Sequence, residues 1–561
     1  MIKKNMIYRI GVVALAVTMT ASCIQEVFPE GGSLTQAQVS ASKTALKSMI
    51  KAVPASMTTS GTIGYYSTYG DHTDFGLPGI HLRTEHMLED IVTMAENPYY
   101  NRFAIYAANT AQGSRYIYCA YFWEAYYKWI RLVNDVIISI KPIVDAGGEG
   151  DEYEQMKDIL GQAYAYRAMC YLDLARLFEP KPVPASTGIV ISDRILGLTV
   201  PIVDENMTIE QTKRNPRATR EEIYAFILGD LDKAAALMYQ DELTFSRPTV
   251  QAVNGLYART YLELEDWTNA KKYARKVIDS GYYSPLTQAQ WEDPVNGFNS
   301  AASNKSWIWG FSLVAENLGN IMTHVAHMSS EASWGYARRA QFGVSLRLYD
   351  QIPDTDFRKH SWLDPKKEEY YKYQFSGSAS DKQMFLKGSG DMPAAKSYQS
   401  IKFRPAMGEC NDFNIGNAAD YCLMRIEEMY FIEIEATAQQ DGYQKGAELL
   451  SDFMKEYRDS KYNRQSNSLS DFLKEEMLLQ KRIEFWGEGI LLYDYKRLDK
   501  GIVRKYAGSN HAEVFQIDKP DGRSPQWNIV ITRSEFQSNT AIDDNTNNPD
   551  PSEPEDASDN E

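Results

Sequence analysis

Four carboxylates, Glu427, Glu428, Glu433 and Glu435, crowd into the stretch "LMRIEEMYFIEIEA". Paired carboxylates are what glycoside hydrolysis needs, provided that two of them face each other across a cleft. Adjacent acids on one amphipathic helix instead make a solvated face or pair with basic side chains, and that is the reading taken here. "HVAH" sets His324 and His327 three residues apart, a spacing that suits one metal on one helix face, but no third ligand lies nearby in sequence. The chain has no G-x-S-x-G, no H-E-x-x-H and no phosphate-cradling glycine loop. No catalytic residue, metal or cofactor is therefore assigned.

Cysteine chemistry points to location. Lys3, Lys4 and Arg9 precede an apolar run from Ile10 to Val17, and Ala21 and Ser22 lead into Cys23. A basic start, a short apolar core and a small-residue exit make a secretory signal over residues 1–22. With the cysteine directly behind that exit, the segment is similar to a bacterial lipoprotein signal, in which Cys23 carries the lipid and anchors the chain to a membrane. Thr20 stands where a larger aliphatic is usual. Cys119 and Cys170 sit in apolar helical patterns and read as buried thiols. Cys410 and Cys422 are close enough in sequence to close a loop, and sequence leaves their pairing open.

Aromatic composition carries the binding signal. The chain has 37 Tyr and 10 Trp against 21 Phe, a bias toward rings with one polar edge. Sugar rings offer apolar C–H faces to aromatic planes while their hydroxyls take hydrogen bonds, so a sugar site needs exposed Trp or Tyr beside polar side chains. Three clusters fit: "YYSTYGDH" with Tyr65, Tyr66 and Tyr69; "NPYYNR" with Tyr99 and Tyr100; and "EASWGYARRAQ" with Trp334 and Tyr336, followed by Arg338, Arg339 and Gln341. Tyr370, Tyr371 and Tyr373 lie among lysines and glutamates. Trp123, Tyr127 and Trp267 fall in helical patterns and read as core.

The elements that must position these residues are mostly helices. Helical periodicity dominates two blocks, roughly 36–280 and 420–500. In "RATREEIYAFILGDLDKAA", Thr219 and Glu222 have capping-box spacing, and Ile223, Ile227, Leu231 and Ala234 recur on one face. In "GLYARTYLELEDWTNAKKYARKVIDSGYY", two apolar stripes are separated by Glu265 and Asp266 and closed by Gly281, a pattern similar to a tetratricopeptide helix pair. Between the blocks, roughly 282–419, Gly, Ser, Asn and aromatics crowd together with short β-like runs such as "SWIWGFSLV". Long loops on a rigid scaffold are where binding residues sit.

Length and charge bound the rest. The 561 residues carry a formal net charge of −16. Half of it lies in residues 538–561, which hold eight acids and no Lys or Arg, and this Pro-, Ser- and Asn-containing stretch reads as a disordered acidic tail. An acidic body with no basic stripe excludes nucleic acid as the partner.

Four segments, in order behind the signal, resemble the SusD/RagB family of surface lipoproteins: "AYAYRAMCYLDLARLF"; "NPRATREEIYAFILGDLDKAA"; "RPTVQAVNGLYARTYLELEDWTNAKKYARKVIDSGYY"; and "LMRIEEMYFIEIEA" followed by "QKRIEFWGEGILLYDYKRL". The resemblance spans most of the mature chain. It departs from the family where Gln480-Lys481 replaces a usual Glu-Arg and where "EPKPVP" replaces a Gly-Asp turn. Arg482, Glu484, Glu488, Gly489, Asp494 and Arg497 match, and they read as a structural charge network around the last helix.

The resemblance implies a mostly α, SusD-like fold with tetratricopeptide-like helix pairs as scaffold and an irregular loop-rich region with short strands, in a single domain over 23–537. It implies a non-enzymatic outer-membrane protein that sits over a SusC-like TonB-dependent transporter and delivers oligosaccharide to it, with the loops as ligand face. Trp334, Tyr336, Tyr69, Tyr99 and Tyr100 are the expected ligand contacts. A peptide-binding uptake protein of the same family, or a helical-repeat surface scaffold without a small ligand, are the alternatives.

Overall fold

A computed structural model of the chain describes residues 42–61, 73–94, 106, 112–115, 117–240, 243–315, 318, 321–336, 341–366, 387–388 and 394–551. Residues 1–47 and 48–561 separate into two units. The signal segment and Cys23 lie outside the described residues, as do Tyr65, Tyr66, Tyr69, Tyr99, Tyr100, Arg338, Arg339 and the tyrosines at 370–373.

The main elements are α1 (Lys43–Thr58), α2 (Leu77–His86), β1 (Ile91–Thr93), α3 (Ile117–Asp145), α4 (Asp151–Phe178), α5 (Arg220–Leu237), α6 (Val250–Glu263), α7 (Trp267–Ile278), β2 (Trp307–Phe311), β3 (Phe342–Val344), β4 (Tyr421–Arg425), α8 (Ile426–Asp441), α9 (Tyr443–Tyr457), α10 (Leu478–Glu484), α11 (Leu491–Leu498), β5 (Ile502–Val503), β6 (Asp518–Lys519) and α12 (Arg533–Ser538). The fold is mostly helical, as the periodicity implies. Among the described residues the strands form three two-stranded antiparallel sheets, β1–β3, β2–β4 and β5–β6.

Helices pack as neighbours along the chain: α3 on α4, α4 on α5, α6 on α7 and α8 on α9. The capping box at Thr219 forms, its hydroxyl accepting from Glu222 N while the Glu222 side chain accepts from Thr219 N. Ile223, Ile227, Leu231 and Ala234 are buried. Arg167 on α4 has no exposed side-chain surface and fixes two neighbours, bidentate to Asp230 of α5 at 2.7 and 2.9 Å and donating to Asn134 of α3 at 2.8 Å.

The two helical blocks meet where α7 packs on α8. All four glutamates of α8 are partnered. Glu428 takes a bidentate pair from Arg259, Glu433 pairs with Arg275, Glu435 pairs with Arg497, and Glu427 accepts from Ser306 Oγ at 2.6 Å and Arg458 at 3.0 Å. These carboxylates hold the scaffold together, and each faces a partner rather than a cleft.

Behind α8 lies a buried charge lattice. Glu484 Oε1 accepts from Arg425 and Arg458 at 2.7 Å each, and Oε2 from Arg358 at 2.9 Å. Glu488 accepts from Arg425 at 2.8 Å and from Lys402 at 2.6 Å, and Asp356 accepts from Arg358 at 2.7 Å. With Glu427, four cations balance four carboxylates. Burial alone would raise the Glu484 carboxyl, but Arg458 and Arg425 outweigh it and hold it well below the usual range. The network reading of "RIEFWGEG" therefore holds, and both residues of the Gln480-Lys481 departure join it: Gln480 Oε1 accepts from Arg358 at 2.6 Å, and Lys481 pairs with Asp494. Gly489 has φ of 82°, and a Cβ there would collide with His81, so glycine is required.

The expected disordered tail is corrected as far as residue 551. Ile542, Asn539, Asn547 and Asn548 are buried. Asn548 Nδ2 donates to the carbonyls of Phe178 and Ile529 at 2.8 Å each, its Oδ1 accepts from Arg217 at 3.1 Å, and Asn547 exchanges bonds with the Ile531 backbone. The asparagines dock the segment by satisfying backbone groups, which offsets the ordering entropy without aromatic burial. Residues 552–561 lie outside the described set.

Candidate ligand-binding site

The loop-rich region between the helical blocks contains an open cleft of about 290 Å³. Its wall comes from the 295–300 turn, from Arg404 to Met407 and from Ala418 to Asp420. Asn299 ties the three together: its Oδ1 accepts from Arg404 N at 2.9 Å and its Nδ2 donates to the Asp420 carbonyl at 3.4 Å. Arg404 is buried at the base against Glu331 Oε1, 2.5 Å away. Asp420 accepts from Leu313 N at 3.3 Å, and burial raises its carboxyl from the ordinary value.

The rim is aliphatic. Val295 is 43% and Met407 77% exposed, and Met407 adopts a left-handed φ of 54° that turns the loop outward. The short turn carrying Met407 packs on the Phe413–Gly416 turn, where Phe413 and Ile415 are also exposed. The cleft thus offers amide, carboxylate and guanidinium groups at its floor and apolar surface at its lip. Among the described residues no aromatic side chain lines it.

Trp334 and Tyr336 come to the same loop cluster, one layer back. Trp334 is half-buried and rests on Gly416, where an added Cβ would lie 2.8 Å from its Cζ2 and 3.2 Å from Pro405 of the cleft wall. Its indole nitrogen is buried without a hydrogen-bond partner among the described residues. The Trp334 loop is clasped to the cleft loop by Ser333, whose N and Oγ both donate to the Cys410 carbonyl at 2.8 and 2.9 Å. Tyr336 stacks 4.6 Å from His327, which stacks 4.6 Å from Phe75. Gln341 is buried and donates to the Ala394 carbonyl, so it belongs to the loop's structure.

The other singled-out residues are accounted for structurally. His324 Nε2 donates to the Gly487 carbonyl at 3.0 Å and His327 Nδ1 to the Thr323 carbonyl at 2.8 Å. No group of three metal-ligating side chains occurs among the described residues. Cys119, Cys170 and Cys422 are free, buried thiols, so no disulfide joins Cys422 to Cys410, which is also buried. Trp123 is core, as read from its helix, whereas Tyr127 is half-buried and lines a second cavity with it. Sequence reasoning missed Asn299, Arg404, Met407 and Asp420. The only signal available was the unperiodic texture of the segment.

No helix of the described residues is long and apolar enough to cross a membrane. A SusD-like family model described as "Starch-binding associating with outer membrane" matches residues 79–262. No curated protein sequence matches the chain. Among solved structures, a SusD-like carbohydrate binding protein from Bacteroides vulgatus is 21% identical, with TM-score 0.67 over 89% of this chain and 97% of that one. A SusD superfamily protein from Bacteroides thetaiotaomicron is 19% identical, with TM-score 0.65 over 91% and 100%. Surface glycan-binding protein A from Bacteroides uniformis is 16% identical, with TM-score 0.60 over 90% and 99%. At these identities the structural likeness establishes a shared fold.

Proposed function

We propose that this chain is a member of the SusD/RagB family that captures oligosaccharide at the outer-membrane surface and passes it to a SusC-like TonB-dependent transporter. Lipid on Cys23 would supply the anchor. The observation that supports this reading best is the loop cleft itself. Asn296, Asn299 and Asp420 offer donors and acceptors for a sugar's hydroxyls beside apolar surface from Val295, Pro405 and Met407. The four glutamates of α8 give no support to catalysis, because each is held by an arginine. Tyr69, Tyr99 and Tyr100 remain proposed contacts, with Trp334 and Tyr336 behind the wall.

A peptide ligand is the second reading. The aliphatic rim of Val295 and Met407, with no aromatic side chain among the described residues that line the cleft, favours it over a helical scaffold without a small ligand. A binding screen of the protein lacking residues 1–23 against polysaccharides and peptides separates the readings. Retention of one or more polysaccharides, weakened by Asn299→Ala, supports glycan capture; retention of peptides alone replaces it, and retention of neither rejects both.

A further inference from the structure

A second cavity, of about 380 Å³, opens between α3, the 201–215 segment and α12, and shares no lining residue with the loop cleft. Trp123 and Tyr127 line it with ring centroids 4.7 Å apart. The polar edge of each ring is already engaged: Trp123 Nε1 donates to Glu535 Oε2 at 3.2 Å and the Tyr127 hydroxyl to the Pro201 carbonyl at 2.7 Å. What the two rings contribute to the wall is aromatic carbon.

Two carboxylates join them. Glu535 Oε1 accepts from Asn539 Nδ2 at 2.9 Å, and Glu124 Oε1 accepts from Ser534 Oγ at 3.3 Å. Neither has a Lys, Arg or His partner among the described residues, and no basic side chain lines the cavity. The contrast with α8, where each glutamate meets an arginine, marks these two as charges left for something else. Glu124 is half-buried and its carboxyl is pushed up by that burial, a penalty that an arriving cation would relieve.

We infer that this cavity is a binding site for an organic ammonium group, held by the Glu124 and Glu535 carboxylates against the Trp123 and Tyr127 rings. Carboxylate plus aromatic face is the combination that recognises an ammonium carried on an apolar or sugar body. An amino sugar and a lysine side chain share that chemistry.

The test is calorimetric titration of the full chain at pH 7 with D-glucosamine and with Nα-acetyl-L-lysine methylamide. N-acetyl-D-glucosamine and the norleucine analogue serve as uncharged controls. At least one ammonium probe should bind, tenfold or more tighter than its uncharged analogue, and Glu535→Gln and Glu124→Gln should each weaken it at least fivefold. Binding of the sugar amine alone identifies a glycan source, and binding of the lysine derivative alone a peptide source. If Glu535→Gln fails to fold, Glu124→Gln at its half-exposed position carries the comparison. Absence of binding by both ammonium probes, equal binding of the uncharged controls, or affinity unchanged in folded Glu124→Gln would overturn the inference. Loss of polysaccharide retention by Asn299→Ala bears on the loop cleft alone, so the two readings fail separately.

Discussion

Arg358 donates through Nη1 to the Glu484 carboxylate across 2.9 Å, with both side chains wholly removed from solvent. One residue comes from the loop-rich region and the other from the last helical block, so the bond fastens the candidate ligand region to its scaffold. Arg358 spends its other nitrogens on Asp356 and Gln480, leaving it no freedom to answer a ligand.

Glu484→Gln should therefore be among the most damaging isosteric changes in the chain. It leaves Arg358, Arg425 and Arg458 buried with less than their balancing charge, and breaking one partner of a buried pair costs about 3–5 kcal/mol. Urea unfolding should show the unfolding free energy falling by that amount, through a lower midpoint at unchanged slope. A loss under 1 kcal/mol, as for a typical surface ion pair, would show that the lattice is solvated.

Stability should fall on both sides of a near-neutral optimum. Burial lowers His81 to about 4 and His324 to about 3, so below 6.5 the unfolded chain takes up protons that the folded chain refuses. That contribution is complete above 6.5 and is lost as pH falls toward 3–4. Burial, aided by Asp90, raises Glu85 to about 8, so its contribution is complete below 4.5 and is lost as pH rises through 8. Glu85→Gln should match the parent at pH 5 and exceed it at pH 9 in unfolding free energy. A constant difference across that range would refute the assignment.

The scaffold was legible because its signals are local. A Thr–Glu spacing, an apolar face and a cluster of acids each announce a helix or an ion pair within a few residues, and Thr219, Ile223 and Glu484 do what their neighbours in sequence imply. The cleft was not legible. Asn299, Arg404 and Asp420 lie far apart in the chain and meet through backbone bonds that carry no side-chain pattern. Asparagines at 539, 547 and 548 misled for a related reason: the composition that resists core formation also binds backbone well.

Removing residues 539–561 should lower the thermal midpoint by several degrees, against the expectation from composition alone. Asn548→Ala isolates the cause, because it takes the side-chain donor from the buried Ile529 carbonyl, while the Phe178 carbonyl keeps Arg217 and Arg217 keeps the Thr546 carbonyl. Each unsatisfied buried group costs about 1–3 kcal/mol, so the substitution alone should be readily measured by calorimetry. A midpoint unchanged by the truncation would show that this segment adds nothing to the fold.

Trp334 supplies the sharpest test of the loop region. The ring lies against Gly416, whose backbone is too close to Trp334 and the Glu409 carbonyl to admit a Cβ, and Pro405 on the far side forms the cleft wall. Trp334→Ala removes the plane behind that wall. If glycan contacts the ring or depends on the wall it supports, affinity should drop several-fold, in line with about 1 kcal/mol for an aromatic contact. Gly416→Ala should act in the same direction by pushing the ring and the Glu409 carbonyl apart. Binding to a retained polysaccharide and the thermal midpoint should be read together for each variant. Reduced affinity with a small change in midpoint assigns Trp334 to the ligand face. A midpoint lowered by several degrees at unchanged affinity assigns it to packing and directs the search for stacking rings to Tyr99 and Tyr100 or to the tyrosines at 65–69.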